Sequence, residues 1–501
     1  MNPVIRPLSI HEASFPVYAK LVPGGGNIVV CLRLSGELSA DQAEQGLEKL
    51  RQAEASLQVA SQFIHKTETN QLNNTPHEGY YFIQPLNPRL PFAYTEVVIR
   101  DDFSQVVDQQ RTQFLNQSFK QGELLWRAHL VSEKNNHQHA LLLCINHSIS
   151  DGTSVYHLMK RWLLALNNST DIIATANDFS LPLWHYMPKK ISGFLGAFRS
   201  LDILSTFMKA QKLADKGLSF KAEGNVPIEE HRCRSAHRCL DKATFASLLK
   251  QSKAEKKSIH GLLSAALIQV LLADCKKRGT LEAIGQYFSF PFVTTVNVRD
   301  KISTTKTKVD NDISGCLSSG VTSMIDIDQK LIDGEYQQSP EHLGEQVAAG
   351  VKEALQQDQH WKVLRIYQLA GLKGLKKMFI DSSEKPLATP ISFANLGTVN
   401  FDFYVNRACE SNSNALVVED YQAYAAFHAS GAGINTVASS LKGALTLCLT
   451  CPAPVMSQQT MESYADDVMA LLASWAEETA SDVSNRKIMT DSDVALKMVQ
   501  N

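Results

Sequence analysis

A histidine, an aspartate and a glycine stand at fixed spacing in the segment LLLCINHSISDGTSVYHLMKRWL, where His147, Asp151 and Gly152 form H-x-x-x-D-G. With ordinary residue frequencies this pattern arises by chance in about one 500-residue chain in twenty, so context decides its weight. Leu141 to Ile145 is apolar on both faces, as in a central strand. Asp151-Gly152 is a turn signal, and the residues after it follow a helical pattern. A histidine on a strand-to-helix connection lies where α/β proteins build sites. An imidazole titrating near neutrality can take a proton from a hydroxyl or an amine. The alternative is a surface loop in which His147 and Asp151 hydrogen-bond only locally.

Other chemistry-bearing residues point to structure rather than to sites. His231, Cys233, His237 and Cys239 share one parity, but one strand cannot wrap four donors around a tetrahedral ion. A strand is expected there, and no metal. Cys448-x-x-Cys451 lies in the apolar run LTLCLTCP, whereas a redox CxxC opens a helix, so buried thiols are expected. Gly24-Gly25-Gly26 precedes a strand and reads as a turn, not as a phosphate cradle. The chain contains no G-x-S-x-G, no H-E-x-x-H and no P-loop.

The elements around His147 alternate between strand and helix. Strands are expected at Ile28 to Ser35, Gly79 to Gln84, Glu96 to Arg100, Leu124 to Ser132 and His139 to Ile145. Helices are expected from a Ser39 cap through Ala40 to Leu57, from Phe103 to Phe119, and from Thr153 to Leu166. Asn167 to Ile228 breaks the rhythm with Pro182, Pro188 and Pro227 and four glycines, and reads as a connector with helices of its own. Its middle, Phe194 to Leu213, mixes Phe, Leu and Met with Arg199, Lys209 and Lys212. A helix packed on the protein is the expectation, a helix on a membrane surface the alternative.

The pattern restarts beyond the connector. Strands are expected at Cys233 to Leu240, Tyr287 to Val298, Pro390 to Phe403, Tyr421 to Phe427, Asn435 to Ser439 and Ala444 to Thr450. Helices are expected from Asp241, at Ile259 to Cys275, Glu341 to Leu355, Trp361 to Leu372 and Ser457 to Ala473. The expected organisation is an N-terminal domain over 1–180, a connector over 181–230, a C-terminal domain over 231–480 and a polar tail over 481–501.

At 501 residues, two to four domains of roughly 150 residues are expected. Lys plus Arg is 49 and Asp plus Glu is 51, so the net charge is −2, which argues against a nucleic-acid binder or a membrane-surface protein driven by global charge. Hydrophobic residues make up 44% of the chain and charged residues 20%, enough for a sizeable core. The odd count of nine cysteines, several inside apolar runs, suits a reducing compartment. MNPVIRPLSIHEASF lacks an apolar signal core, and no run approaches 18 uncharged apolar residues. A soluble, cytoplasmic protein without a transmembrane segment is expected.

HSISDG resembles the signature of the chloramphenicol-acetyltransferase-like superfamily. That superfamily includes condensation domains of peptide synthetases, plant acyltransferases, alcohol acetyltransferases and mycobacterial polyketide-associated acyltransferases. IRPLSIHEASF resembles the opening of the polyketide-associated and alcohol acyltransferase branch. TVNVRD, Thr295 to Asp300, resembles the strand that ends in an arginine, and SFANLG, Ser392 to Gly397, the "SNLG" loop of that branch. The landmarks follow in the expected order over nearly the whole chain.

The resemblance implies an α/β fold of two similar domains in a V, with the active site in a tunnel between them. It implies His147 as general base, Asp151 paired with Arg299 to hold the loop, and Gly152 for backbone geometry. Asn146, Ser148, Ser392, Asn395 and Gly397 become substrate-tunnel candidates. The donor would be acyl-coenzyme A or a phosphopantetheinyl carrier protein, the acceptor a small alcohol or amine, with no permanently bound cofactor. A segment of the C-terminal half should cross to the N-terminal half, and SFANLG matches it. One departure is Asn146, where many members carry a first histidine. An O-acyltransferase is the leading expectation. The alternatives are an amide-forming condensation enzyme working with carrier proteins and an inert binding protein on the same fold.

Overall fold

The computed structural model describes residues 3–65, 77–86, 88–98, 100–134, 137–166, 180–254, 256–302, 313–328, 340–383, 389–402, 416–426 and 432–477. The first half contributes β1 (Val4–Pro7), β2 (Asn27–Ser35), β3 (Ala60–Ile64), β4 (Gly79–Ile83), β5 (Phe92–Val97), β6 (Trp126–Glu133) and β7 (Gln138–Asn146). The second half contributes β8 (Arg232–Leu240), β9 (Tyr287–Asn297), β10 (Ser318–Asp328), β11 (Thr389–Val399), β12 (Val417–Ala425), β13 (Ala432–Leu441) and β14 (Ala444–Ala453). They form a five-stranded sheet β12-β2-β7-β6-β5, a six-stranded sheet β10-β9-β11-β13-β14-β8 and a small sheet β1-β4-β3.

β2 and β7 are apolar on both faces, and both lie inside the five-stranded sheet. Helix Arg100–Leu115 packs against β2, β6 and β7. Ser39 and Gln42 form a capping box that starts helix Ala40–Ala53, which packs on helix Gly152–Leu166. The second core holds helix Ile259–Lys277, apolar nearly all round. By length and composition alone this helix could cross a membrane, and two thirds of it is buried inside the fold.

Several elements differ from the sequence expectation. The strand expected at Glu96 to Arg100 ends at Val97, because Arg100 already opens a helix. The helix expected to end at Leu372 runs Gln359–Ser383, with a break at Gly371 (φ 63°). The connector holds helices Lys189–Ser192, Phe194–Arg199 and Asp202–Asp215. The polar tail beyond 480 lies outside the described residues.

The crossover falls on a different segment from the one expected. β11, which contains SFANLG, runs parallel to β9 and β13 inside the second sheet. It is β12 that leaves the second half and pairs antiparallel with β2 along the edge of the first sheet. Its Tyr421 and Tyr424 are buried in the first half's core, alongside Leu375, Phe379 and Phe401.

Candidate functional site

β7 delivers His147 by running out of hydrogen-bonded strand at Asn146. The His147 N–H donates to the Gly26 carbonyl at 2.8 Å, tying the loop to the triple-glycine turn. Gly26 has φ +78°, and a Cβ there would meet the Phe15 ring at 3.0 Å. Phe15 in turn stacks flat on the His147 imidazole, with centroids 4.6 Å apart. The segment LSIHE that precedes it is a capping box: the Ser9 hydroxyl accepts from the Glu12 N–H, and the Glu12 carboxylate accepts from the Ser9 N–H. It starts helix Ile10–Ala19, which carries Phe15 to the ring.

Asp151 has two tasks. It caps helix Gly152–Leu166, accepting from the Ser154 N–H at 2.8 Å and the Ser154 hydroxyl at 2.9 Å. It also forms a two-pronged ion pair with Arg299, at 2.9 and 3.1 Å, with both side chains buried. The Leu317 N–H adds a bond at 3.0 Å. Arg299 also donates to the Ser154 hydroxyl at 2.7 Å and the Ile313 carbonyl at 3.0 Å. The pair fastens the loop of the first half to the end of β9 in the second. Burial works against the Asp151 charge, but the Arg299 guanidinium and the Ser154 bonds hold the carboxyl below the usual carboxylate range.

Burial lowers the pKa of His147, and the negative Asp151 and backbone hydrogen bonds at His147 and Ser150 oppose it. The net direction is down, so the ring is uncharged at neutral pH. Cys316 Sγ stands 3.9 Å from His147 Nδ1.

His147 lines a cavity of about 180 Å³ between the halves. His11, Phe15 and Asn27 join it from the first half, and Thr295, Ser318, Ser392, Asn435 and Thr436 from the second. The Asn435 Nδ2 and the Thr436 Oγ1 are buried without a hydrogen-bond partner among the described residues. Burial, and then the neighbouring His147, push the His11 imidazole down to about 4. Sequence reasoning missed His11, Asn435, Thr436 and Cys316, for only the packing of distant elements brings them to His147.

Of the residues singled out from sequence, His147 and Ser392 line this cavity. Asp151, Gly152 and Arg299 stand behind the loop. Asn146, Ser148, Asn395 and Gly397 are not among the lining residues. Asn146 is buried and turns inward, its Oδ1 accepting from the Ser148 N–H at 3.1 Å. Ser148 is buried as well. The Asn395 Oδ1 accepts from the Gly397 N–H at 2.8 Å and so shapes a turn.

Gly152 does not lie in the left-handed region; a Cβ there would come within 2.7 Å of Leu396 Cδ2. Gly397 faces open space but has φ +71°. Leu396 thus brings SFANLG against the H-x-x-x-D-G loop even though β11 stays in its own sheet. Tyr156 Oη adds a second tie, donating to the Asn400 carbonyl at 3.0 Å and accepting from its N–H at 2.8 Å.

No family model matches the chain, and no curated protein matches it. Solved structures do match over nearly its whole length. A trichothecene 15-O-acetyltransferase from Fusarium sporotrichioides superposes with a TM-score of 0.64 at 11% identity, over 93% of this chain and 95% of that one. The first condensation domain of the calcium-dependent antibiotic synthetase, in complex with a substrate analogue, gives 0.65 at 12% identity, over 95% and 97%. Polyketide synthase associated protein 5 from Mycobacterium tuberculosis gives 0.59 at 13% identity, over 95% and 100%. The chain therefore has the fold of the condensation domains and of this acetyltransferase.

Proposed function

We propose that this chain transfers an acyl group from an acyl thioester, carried by coenzyme A or a carrier protein, to an alcohol. One observation carries the reading: an uncharged His147 opens on the cavity between the halves while the buried Asp151–Arg299 pair fixes its loop. In the proposed step the acceptor hydroxyl gives its proton to His147 as its oxygen attacks the thioester carbonyl. The carbon–sulfur bond then breaks, and the protonated imidazole returns the proton to the leaving thiolate. No covalent acyl-enzyme is needed. The Asn435 amide, on the same face of its strand as the cavity-lining Val437, would donate to the carbonyl oxygen as it gains charge.

The likeness to condensation domains supports a second reading, with an amine acceptor and an amide product. A panel of acyl-coenzyme A donors against mixed alcohols and amines separates the two, read as thiol release and product identity. Ester products support the first reading, amide products alone the second. His147→Ala should release thiol roughly 10²–10⁴-fold more slowly without loss of fold. Near-wild-type release by that variant overturns the mechanism.

A further inference from the structure

The helices of the connector leave an apolar strip in solvent. Among the described residues fourteen large apolar side chains are exposed, and six of them fall between 194 and 208: Phe194, Leu195, Phe198, Leu201, Leu204 and Met208. Phe194 is 79% exposed, Leu195 68%, Met208 61% and Phe198 60%. Scattered exposed apolar residues need no explanation, but such a concentration marks an interaction surface.

Helix Asp202–Asp215 shows how the strip arises. Ile203, Ala210 and Ala214 form the buried stripe that seats the helix on the protein. Leu201, Leu204 and Met208 recur at helical spacing on another side and stay exposed. The helix is therefore packed on the protein, as expected, and still presents a second apolar face outward.

Charge tells what fits that face. From Lys189 to Lys216 the chain carries six basic residues, Lys189, Lys190, Arg199, Lys209, Lys212 and Lys216, against two acidic ones, Asp202 and Asp215. Helical geometry places Lys209, Lys212 and Lys216 along one border of the exposed stripe. Asp202 is already paired with Lys362, and Lys190 with Asp358. Apolar side chains bordered by ammonium groups match an anionic lipid surface, where the rings enter the headgroup boundary and the cations meet phosphates.

We infer that the Phe194–Met208 strip seats this protein on anionic phospholipid. The inference does not rest on the catalytic reading. It bears on it, because Phe207 of the same helix lines the cavity of His147. Attachment through this strip holds one wall of the cavity beside the bilayer, where lipid-soluble acyl donors and acceptors concentrate.

The test is sedimentation of the full chain with vesicles of phosphatidylcholine, alone or mixed with phosphatidylglycerol. Binding to the mixed vesicles, weaker on phosphatidylcholine alone and weakened by salt, is the expected result. Phe194→Ser with Phe198→Ser, and separately Lys209→Glu with Lys212→Glu, should each weaken it at least about tenfold. Both pairs are exposed, so their melting temperatures should match the parent. No binding to mixed vesicles, or binding that neither pair changes, overturns the inference. So does a dimer in light scattering that the phenylalanine variant turns into monomer, since the strip would then seat a second copy.

Discussion

His147 can serve as a base only while its ring is uncharged and its loop is held. Burial pushes its pKa below the ordinary 6.5 despite Asp151. The neutral form therefore persists to lower pH than a free imidazole's would. Thiol release should stay flat through neutrality and decline only below pH about 6.5; an acid limb centred above that value would contradict the assignment. The loop depends on Asp151 and Arg299, buried and hydrogen-bonded on both sides. Removing either partner strands the other charge. Asp151→Ala should lose roughly 3–5 kcal/mol in denaturant unfolding, and adding Arg299→Ala should cost much less than a second such loss. Additive losses would show that the two do not act as a pair. His147 and Asp151 were legible because only three residues of loop separate them. Arg299 came only from the resemblance. Asn435 and Thr436 reach the cavity through the register of β11 beside β13, which no local pattern encodes.

Elements meet at the site through shape. Leu396, on β11, occupies the volume that a side chain at residue 152 would need. Gly152→Ala should therefore destabilise the fold by about 1–3 kcal/mol through overpacking. Most of that cost should vanish in a Leu396→Ala background, and a double-mutant cycle by denaturant unfolding reads the coupling. If Gly152→Ala costs the same in both backgrounds, Leu396 is not what the glycine accommodates. Contacts of this kind are invisible in one dimension, which is why the packing of Leu396 on Gly152 was not foreseen. The long apolar strands β2, β7 and β14 and the apolar helix Ile259–Lys277 were readable because burial on all sides leaves an uninterrupted run. β10 was not: it alternates buried and partly exposed residues, but glycine, serine and threonine fill many of those places and blur the period. β1 and β3 are four and five residues long, too short for a pattern to stand out.

The whole molecule is held across its halves by β12 on the edge of the first sheet, by Arg299 on Asp151 and by the seam between Tyr156 and Asn400. The sequence suggested two α/β units and the resemblance implied a crossover, but the crossing strand reads locally like any strand of the second half. Residues 1–230 expressed alone should therefore fail to fold, lacking the strand that covers β2. The same integration sets the response to acid. His11 in the first half and His260 in the second are both pushed down to about 4, mainly by burial. His260 stacks on Phe393 with ring centroids 4.9 Å apart. An unfolded imidazole binds its proton near pH 6.5, whereas these folded rings refuse it until about 4. Between those values the unfolded chain binds more protons, so stability falls as pH falls from about 6.5 to about 4, by at most roughly 3 kcal/mol for each ring. Above 6.5 both states are neutral and the effect is absent. Denaturant midpoints should be level above neutrality and drop steadily from pH about 6.5 to about 4. His260→Phe, which keeps a ring against Phe393 but cannot take a proton, should make that drop shallower. If the slope is the same in the variant, the buried imidazole is not what drives the loss.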